Sequence, residues 1–266
     1  MPVSQKALVL LSNDDGVTSR GLLTLRAALL ARADVVVIAP ETEQSASSHS
    51  LSLHRPLRLR SVEPGVFALD GTPADCVYVA LHGGTRVIDR QPDLVVSGIN
   101  RGMNLGQDAF YSGTIGAARE GALRGIPSLA VSAHASLEVS SIASMCSRIA
   151  LDILGLPSCG LGAPLINLNI PPNFTGEIRS TRLGHRIYEE IVDVRVDPRG
   201  REYLWIGGPG VHHVRNPGTD TDAYDDGAAS LTPLSLDLTD ALNSGIVADL
   251  AKRAAHYHQD LLAETP

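Results

Sequence analysis

The chain has 266 residues, of which 44% are hydrophobic and 19% are charged, and these proportions exclude an intrinsically disordered protein. A chain of this length can bury one large core, so one α/β domain with an appendage is the expected organisation. The formal net charge of −7 argues against a nucleic-acid polymer as the main partner, although one metal ion can reverse the local sign of charge for a small anionic substrate.

The first predicted element is a buried parallel strand over residues 8–11, an apolar run that ends in a polar loop. Asp14 and Asp15 follow at its carboxyl end, where open α/β sheets place their ligands. Two carboxylates this close repel each other, so the pair needs a cation or strong hydrogen-bond donors. Gly16 suits the tight turn that would direct both side chains outward. Taken alone, Asp-Asp-Gly is equally typical of a solvated turn.

The next two segments complete a βαβ unit. Residues 21–30 combine helix formers with an apolar stripe, and residues 34–40 form a second buried strand. This arrangement implies parallel pairing and a right-handed crossover. Residues 41–52, which we call the serine loop, are therefore expected at the same sheet edge as the aspartate pair. An isolated serine-rich loop is more often simply flexible and hydrophilic.

The α/β pattern continues as far as residue 170. Antiparallel strands are predicted over residues 55–70, followed by a helix from Pro73 to about Leu81 that is capped by Thr72 and Asp75. The later predicted elements are a strand over 92–100, an Asn- and Gly-rich segment over 100–106 that we call the asparagine loop, a small-residue helix over 111–122, a strand over 128–132, a helix over 139–154 and a strand over 165–170. The sequence therefore predicts an α/β core over residues 1–172, with a mostly parallel sheet and helices on both faces.

Beyond residue 172 the pattern changes. Residues 177–207 are predicted to form antiparallel strands with charged faces, interrupted at residues 198–200. A short strand over 228–231, a turn at Thr232-Pro233 and an amphipathic helix over 244–262 follow. We expect residues 173–266 to be a hairpin-rich extension that mediates oligomerisation, with the terminal helix packed on the core.

The cysteines and the hydropathy indicate the compartment. Cys76, Cys146 and Cys159 form neither a CxxC motif nor a zinc spacing, so each is expected to be a reduced, buried core residue. The first strand begins so early that we expect no signal peptide, and no apolar run reaches the ~18 residues of a membrane helix. These features predict a cytoplasmic protein with no membrane partner.

Polar groups are predicted to meet at one edge of the sheet. They come from the aspartate pair, the serine loop, the asparagine loop and the start of the helix at Ser112-Gly113-Thr114. Carboxylate, hydroxyl and carboxamide oxygens suit Mg²⁺, Mn²⁺ or Ca²⁺ and do not suit zinc. A helix N-terminus with free N–H groups binds anions, and a hard cation beside it is the equipment of phosphoryl chemistry.

On these residues the sequence resembles the SurE (survival protein E) family of phosphatases, also called 5′-nucleotidases. The matching segments are Ser12–Gly16, Ala39–Pro40 with Gln44–Ser45, Gly71–Val77, Pro92–Asn104, Tyr111–Thr114, Ala117–Gly121 and Ala130–Ser132, with a weaker match at Gly218–Ala223 and Ser230–Leu234. The resemblance implies a Rossmann-like α/β fold and divalent-metal-dependent hydrolysis of nucleoside 5′-monophosphates. It also implies a homodimer or homotetramer built through the C-terminal extension.

The resemblance assigns residues to roles. It implies one Mg²⁺ or Mn²⁺ per subunit, held by Asp14, Asp15, Ser45 and Asn100. It also implies phosphate contacts from Asn104, Ser112, Gly113 and Thr114. The family usually has glycine directly after the ligand serine, whereas this chain has Ala46. That departure leaves open the conformation of the serine loop.

The mechanism suggested by this set gives Asp14 or Asp15 the proton of an attacking water, while the helix start stabilises charge on the phosphate oxygens. His49 is a candidate general acid, although a surface histidine is the more common interpretation, and His212 and His213 are expected to be structural or exposed. Arg101 and Arg119 are candidates to neutralise phosphate, and Arg119 is as readily an ion-pairing residue. Activity on 3′-monophosphates and short polyphosphate is left open by residue spacing.

Three alternatives compete with a metal phosphatase. An aspartyl-phosphate enzyme is disfavoured because such enzymes separate their two aspartates by one residue, whereas Asp14 and Asp15 are adjacent. A dinucleotide-binding enzyme is disfavoured because no GxGxxG follows the first strand. A non-catalytic metal or nucleotide sensor would use the same pocket, and residue types alone do not separate it from an enzyme.

Overall fold

A nine-stranded, mostly parallel sheet forms the centre of the fold. The computed structural model describes residues 6–156, 163–189, 191–207 and 210–263. The strands are β1 (Leu8–Ser12), β2 (Asp34–Pro40), β3 (Leu59–Glu63), β4 (Val66–Leu69), β5 (Leu94–Arg101), β6 (Ser128–Ala133), β7 (Leu165–Ile170), β8 (Ile178–Ser180), β9 (Arg186–Tyr188), β10 (Val192–Val196), β11 (Glu202–Ile206), β12 (Val211–His213) and β13 (Ala229–Pro233). The α-helices are α1 (Arg20–Leu30), α2 (Pro73–His82), α3 (Asp108–Tyr111), α4 (Gly113–Leu123), α5 (Val139–Asp152), α6 (Asp220–Asp225) and α7 (Ser244–Ala263).

The strand order of the main sheet is β3-β4-β2-β1-β5-β6-β7-β13-β8. From β2 to β7 in this order, the neighbouring strands β2, β1, β5, β6 and β7 all run parallel. The order reverses at β1, which lies between β2 and β5, and such a reversal opens a crevice at the carboxyl ends of the strands. The predicted α/β class and mostly parallel sheet are confirmed.

Alternate residues of β1 face two separate apolar cores. Val9 and Leu11 pack with Leu22, Leu25 and other apolar side chains of α1 and α5. Leu10 packs on the opposite face, with apolar residues of α2 and α4. Because successive side chains of a strand point to opposite faces, helices cover both faces of the sheet, as predicted.

Two of the three cysteines lie in these cores. Cys76 and Cys146 are fully buried free thiols, and burial raises the pKa of both. Their predicted role as small core residues is confirmed. Cys159 lies outside the described residues.

Helix boundaries follow the capping residues. Thr72 and Asp75 form a capping box at the start of α2, with the Asp75 N–H donating to Thr72 Oγ1 at 3.1 Å. The helix predicted over 111–122 is two helices, because Tyr111 ends the single turn of α3 and Ser112 is the N-cap of α4. The α4 helix thus begins at Gly113, and its first N–H groups face the carboxyl edge of the sheet.

The extension contributes to the main sheet as well as projecting from it. Strand β13 pairs antiparallel with β7, and β8 pairs parallel with β13. Thr232 and Pro233, predicted to form a turn, are the last residues of β13 because their backbone continues the ladder with β7.

Residues 186–213, which we call the arm, carry the remaining strands. Strand β9 pairs with β12, and β10 with β11 forms the predicted antiparallel hairpin that turns through residues 197–201. Many apolar side chains of the arm are exposed. None of the arm residues that the structure describes belongs to either of the two apolar cores.

The chain divides into two compact units, Met1–Leu234 and Ser235–Pro266. The second unit contains the long α7 helix, which begins at Ser244 as predicted. Among the described residues, no helix is both long enough and apolar enough to cross a membrane.

Candidate active site

A cleft of about 1260 Å³ opens at the carboxyl edge of the sheet. Residues from the ends of β1, β5 and β6, from the serine loop and from the arm line it. Among the residues predicted as ligands, the lining includes Asp14, Asp15, Ser45, Asn100, Asn104 and Ser112. Gly113 and Thr114 are buried and do not line the cleft. The polar strand ends predicted to meet at this edge do meet there.

Asp14 is a nearly buried carboxyl group, with 6% of its surface exposed. Thr114 Oγ1 donates a 2.6 Å hydrogen bond to its Oδ1 atom. Burial raises the pKa of Asp14 to about 6, and the neighbouring Asp15 charge adds to the shift while the Thr114 hydrogen bond opposes it. At neutral pH this carboxyl group is therefore mostly ionised, and a positive charge in the cleft would lower its pKa further towards the ordinary value.

Asp15 is more accessible than Asp14 and accepts a 3.1 Å hydrogen bond from the Arg101 backbone N–H. Burial raises its pKa as well, the Arg101 N–H opposes that rise, and the negative charge of Glu43 adds to it. The hydrogen bond joins the end of β1 to the end of β5, so both candidate ligand strands are fixed relative to each other.

The serine loop lies over the start of α4. Gln44 N–H donates to the Asp14 carbonyl oxygen at 2.8 Å, and Ser48 N–H donates to the Tyr111 carbonyl oxygen at 2.9 Å. Ser45 is exposed, and its hydroxyl donates to Glu43 Oε1 at 2.6 Å. Ser45 lines the same cleft as the two aspartates, and its hydroxyl is bonded to the Glu43 carboxylate.

Two residues of the serine loop have left-handed backbone conformations. The φ angles are +57° at Ala46 and +54° at Ser48. Glycine adopts this region without penalty, whereas a residue with a Cβ atom pays on the order of 1 kcal/mol. Ala46 therefore occupies, at some cost, the conformation that explains the glycine usual at this position in the family that the sequence resembles.

The approach of the serine loop to α4 depends on glycine. A Cβ atom on Gly113 would lie 2.6 Å from Ser47 Oγ and 3.0 Å from Asp14 Cβ. A Cβ atom on Gly116 would lie 2.2 Å from the Ser48 carbonyl oxygen. The small-residue helix predicted to approach the sheet closely also admits the serine loop against its first turns.

Asn100 and Asn104 come from the asparagine loop. The Asn100 Nδ2 group donates to the Gly102 carbonyl oxygen at 3.1 Å, so the carboxamide oxygen is the atom available to a cation. Asn104 is buried, and its Nδ2 group donates to Ser132 Oγ at 2.7 Å. Its side chain thus joins the asparagine loop to the end of β6.

Sequence reasoning missed the residues that hold this loop. Asn169 accepts the Asn104 N–H at 2.8 Å and donates to the Asn104 carbonyl oxygen at 3.1 Å. Asn167 Nδ2 donates to the same carbonyl oxygen at 2.8 Å. Both side chains are buried in β7. Two asparagines in an otherwise apolar strand are a signal that could have identified this clamp, because buried carboxamides need partners.

Asp220 holds the far end of the same loop. Its buried carboxylate accepts the Gly106 N–H at 3.0 Å and the Gly184 N–H at 2.7 Å. Burial raises its pKa, while these backbone hydrogen bonds oppose the shift. The segment Gly218–Ala223, a weak match by sequence, therefore fixes the position of the asparagine loop.

Ser112 caps α4, since its hydroxyl accepts the Ile115 N–H at 3.1 Å. Its side chain also reaches the cleft, so an anion there would meet the start of this helix. Thr114, which the resemblance assigned to phosphate, has its hydroxyl directed to Asp14. Of these two residues expected to contact phosphate, Ser112 lines the cleft and Thr114 does not.

The candidate histidines and arginines separate clearly. His49 Nε2 lies 2.8 Å from Glu120 Oε2 and is not in the cleft lining, so it has a structural partner instead of a substrate-facing position. His213 pairs with Asp225 at 2.7 Å, and His212 is exposed. Arg101 lines the cleft, whereas the half-buried Arg119 does not, and its guanidinium donates to the Ala109 carbonyl oxygen at 3.4 Å.

The charged side chains that line the cleft show whether it suits a bound cation. Five carboxyl and three guanidinium side chains line it: Asp14, Asp15, Glu43, Asp108 and Glu189, against Arg20, Arg101 and Arg186. A phosphate dianion would be repelled by this excess of negative charge unless a cation were present. No group of three or more His, Cys, Asp or Glu side chains within the described ranges is placed to hold a metal. The candidate ligands are instead the two carboxylates of Asp14 and Asp15, the Ser45 hydroxyl and the Asn100 carboxamide. Together they make an all-oxygen donor set that fits a hard divalent cation.

The fold and the cleft together define a Rossmann-like α/β protein whose acidic pocket suits an anionic ligand held with a hard cation. The chain belongs to the SurE family, since the family model for survival protein SurE matches residues 9–190. The family predicted from the motifs is confirmed.

Individual relatives agree along most of the chain. A protein of Sorangium cellulosum named 5′-nucleotidase SurE is 57% identical over 248 residues, which cover 92% of this chain and 96% of that protein. One of the same name from Syntrophotalea carbinolica is 44% identical and covers 87% and 92%. The crystal structure of the SurE protein from Aquifex aeolicus matches with a TM-score of 0.77 and 38% identity, covering 92% of this chain and 99% of that one.

Proposed function

We propose that this protein is a divalent-metal-dependent phosphomonoesterase that hydrolyses nucleoside 5′-monophosphates to nucleoside and phosphate. The observation that carries the proposal is the pair Asp14 and Asp15, which lie in an acidic cleft beside the N-terminus of α4. Such a pair is costly to keep ionised without a cation, and the helix start is suited to an anion.

The prediction of an enzyme, a 5′-nucleotidase among the phosphoric monoester hydrolases, is confirmed by relatives that carry that name at 57% and 44% identity. A non-catalytic sensor on the same fold is therefore disfavoured. The dependence on a metal, the choice of metal and the wider substrate range belong to our proposal.

Asp14, Asp15, Ser45 and Asn100 would hold one Mg²⁺ or Mn²⁺ per subunit. A divalent cation supplies positive charge that polarises phosphate oxygens and acidifies water. The Asp14 carboxyl group would bind a cation in its ionised form, and its pKa is about 6 without a cation, so protonation should compete with cation binding as the pH falls below about 6.

The residues of the chain bind and orient the phosphate. In this proposal the start of α4 and the Ser112 side chain stabilise the anion, and Arg101, which also lines the cleft, adds positive charge. Asn104 would contact the phosphate from the asparagine loop, where Asn169 holds its backbone in place. These donors are fixed before the substrate arrives, so little reorganisation is needed as negative charge develops on the phosphoryl oxygens.

Proton transfer is assigned to the aspartates. As the water oxygen bonds to phosphorus and the bond from phosphorus to O5′ breaks, Asp14 or Asp15 accepts the proton of the water, and O5′ takes up a proton from solvent water to leave as the nucleoside hydroxyl. Asp15 is the more accessible of the two, because Asp14 already accepts the Thr114 hydroxyl. His49 is not proposed as the general acid, since its ring is paired with Glu120.

We extend the proposal to nucleoside 3′-monophosphates and short polyphosphate, because the same phosphate-binding groups would serve a terminal phosphate on either. We also retain the cytoplasm as the proposed location, with the buried free thiols of Cys76 and Cys146 in support.

The test is phosphate release from a panel of nucleoside 5′- and 3′-monophosphates and tripolyphosphate, after chelation and after adding back Mg²⁺ or Mn²⁺. We expect release only with metal, and about a thousandfold less from Asp14→Asn. Asp34→Asn, an exposed carboxyl at the opposite end of β2, is the matched control and should match the wild type. Metal-independent release, or full activity in folded Asp14→Asn, would contradict the proposal.

We further propose that the extension makes the chain a homodimer or homotetramer. Support comes from the exposed apolar side chains of the β10–β11 hairpin, which are Val192, Val194, Val196, Leu204, Trp205 and Ile206. Sedimentation equilibrium should give a dimer or tetramer for the wild type and for Asp89→Lys, a control on the core surface. It should give a smaller species for Leu204→Lys, and a monomeric wild type would contradict the proposal.

A further inference from the structure

The cleft is larger than its phosphate-binding end requires. Its volume is about 1260 Å³, whereas small-molecule sites typically occupy about 300–1000 Å³. The aspartates, Asn100 and Ser112 account for one end. The remaining volume can receive the part of a substrate that carries no phosphate.

Apolar and aromatic side chains form a further part of the lining. Apart from those in β5, the asparagine loop and α3, the larger ones are Leu137, Val139, Tyr188, Ile191, Val192 and Ile206. Four of the six come from the arm, so the first two arm strands and the end of β11 supply most of this surface. A flat, apolar group with polar edges, such as a nucleobase, matches such a wall better than a sugar or a second phosphate does.

Tyr188 is the aromatic residue of the arm that lines the cleft, and its ring is fixed. Its hydroxyl donates to Asp108 Oδ1, and Arg186 forms an ion pair with the same carboxylate. The Arg186 guanidinium lies 5.4 Å from the centre of the Tyr188 ring. Burial and the Asp108 charge raise the pKa of Tyr188 to about 12, so the phenol stays protonated and keeps donating.

This anchor couples the ring to the phosphate end. Asp108 begins the α3 turn, which leads directly into Ser112 and the start of α4. A ring held through Asp108 therefore keeps a constant distance from the phosphate-binding groups. A held ring binds more tightly than a mobile one, because its rotamer entropy is already lost before the ligand arrives.

We propose that Tyr188 is the specificity residue of the site and stacks against the base of the nucleotide, with Asp108 and Arg186 as positioning residues. This assignment rests on the proposed nucleotidase function. It makes the arm part of the substrate site: the core binds the phosphate, and the arm distinguishes a nucleotide from a phosphorylated sugar.

The experiment compares adenosine 5′-monophosphate with ribose 5-phosphate, which has the same phosphorylated sugar and no base. The quantity measured is the ratio of kcat/KM for the nucleotide to kcat/KM for the sugar phosphate. In Tyr188→Leu this ratio should fall about tenfold, mainly through a higher KM for the nucleotide, because base stacking of this kind is typically worth such a factor. Tyr188→Phe keeps the ring but loses the hydroxyl that donates to Asp108, so its ratio should lie between those of the wild type and Tyr188→Leu, about threefold below the wild type.

Tyr203→Leu is the matched control, since Tyr203 is an exposed tyrosine of the same arm that is not in the cleft lining. It should leave both substrates unaffected. A ratio that is unchanged in Tyr188→Leu, or that falls equally in Tyr203→Leu, would overturn the assignment. Equal losses for both substrates in Tyr188→Leu would also overturn it, because they indicate a general effect on the cleft.

Calorimetric titration with adenosine 5′-monophosphate separates this inference from the proposed function. If the wild type hydrolyses neither substrate, the nucleotidase proposal fails. The stacking assignment then stands if the wild type binds the nucleotide and Tyr188→Leu binds it at least fivefold more weakly, as loss of about 1 kcal/mol of stacking requires. It falls if the two proteins bind equally or if neither binds.

Discussion

The asparagine loop and the serine loop both bring candidate ligands to the same cleft, yet they are held in opposite ways. Buried side chains from β7 and α6 hold the asparagine loop through hydrogen bonds of 2.8–3.1 Å, which engage Asn104 and Gly106. The serine loop is largely exposed, has two residues with positive φ, and is attached through backbone contacts and through hydrogen bonds of the half-buried Ser48 and His49 side chains.

The difference suits the two loops to different roles in the proposed site. A loop clamped by buried, satisfied polar groups is preorganised, which suits the residues that orient a phosphate. An exposed loop with local strain can change conformation at a low cost in free energy, which suits a ligand that must adapt when a cation enters. Three predictions test this contrast, and they are arranged from the largest expected effect to the smallest.

The largest effect concerns Asp14. It accepts hydrogen bonds from Gln44 of the serine loop, at its carbonyl oxygen, and from Thr114 of α4, at its carboxylate. Its pKa is about 6 in the folded protein, against an ordinary value of 3.8. A raised carboxyl pKa stabilises the fold below the unfolded pKa, and this contribution is lost as pH rises through the folded pKa. In metal-free protein we therefore expect wild type to lose about 3 kcal/mol relative to Asp14→Asn between pH 3 and pH 7.

Urea denaturation of both proteins in a chelator, at several values across that range, measures this difference. The other titrating groups are common to both, so they cancel in the comparison. Mg²⁺ should restore stability to the wild type above pH 6, since the cation binds the ionised form, and should not do so for Asp14→Asn. Parallel pH profiles for the two proteins would contradict the prediction.

Asp220→Asn tests the clamped loop. An amide in place of the carboxylate keeps the shape but can accept only one of the two N–H groups, from Gly106 and Gly184, that now share it. We expect the free energy of unfolding to fall by about 1–3 kcal/mol and kcat/KM for nucleotide to fall roughly 10- to 100-fold.

The assay temperature is chosen so that the variant remains fully folded, which separates loss of loop position from loss of protein. Asp225→Asn, at the other end of α6, is the control and should keep kcat/KM within about twofold, as surface changes usually do. Equal losses in both variants, or none in Asp220→Asn, would show that the clamp does not set the geometry of the site.

Ala46→Gly tests the strained loop and should give the smallest effect. Glycine removes the Cβ strain at a φ of +57° but adds freedom to the unfolded chain, so we expect a net stabilisation of about 0.5 kcal/mol. Chemical denaturation of the metal-free protein measures it, with Ala135→Gly as the comparison for an ordinary alanine. A destabilisation as large as that of the comparison variant would mean that Ala46 is not strained.

Local sequence patterns predicted most of the fold and part of the site. The βαβ repeats, the capping box of α2 and the meeting of Asp14, Asp15, Ser45 and Asn100 at one edge follow from periodicity and strand direction, which are local properties. The break between α3 and α4 depends on one N-cap hydroxyl, that of Ser112. The apolar and small-residue pattern does not show this break and predicts a single helix over 111–122.

The rest depends on contacts that are distant in sequence. Asp220 meets Gly106 across 114 residues, and Asn169 meets Asn104 across 65. The pairing of β13 with β7 likewise places Thr232 and Pro233 in a strand, although Thr-Pro is typical of turns. His49 was a candidate acid because of its loop, and its partner Glu120 is 71 residues away. No local pattern encodes such meetings, so only tertiary packing reveals them.

The single tryptophan of the chain lies on β11 of the arm, where 59% of its surface is exposed. Indole emission of this protein therefore originates in the arm alone, and the α/β core contributes none. Because that emission moves to shorter wavelength when water leaves the ring, association through the arm can be followed in unlabelled protein. Unfolding of the core must be followed by backbone circular dichroism. The molecule thus carries its own optical label on the region proposed to join subunits.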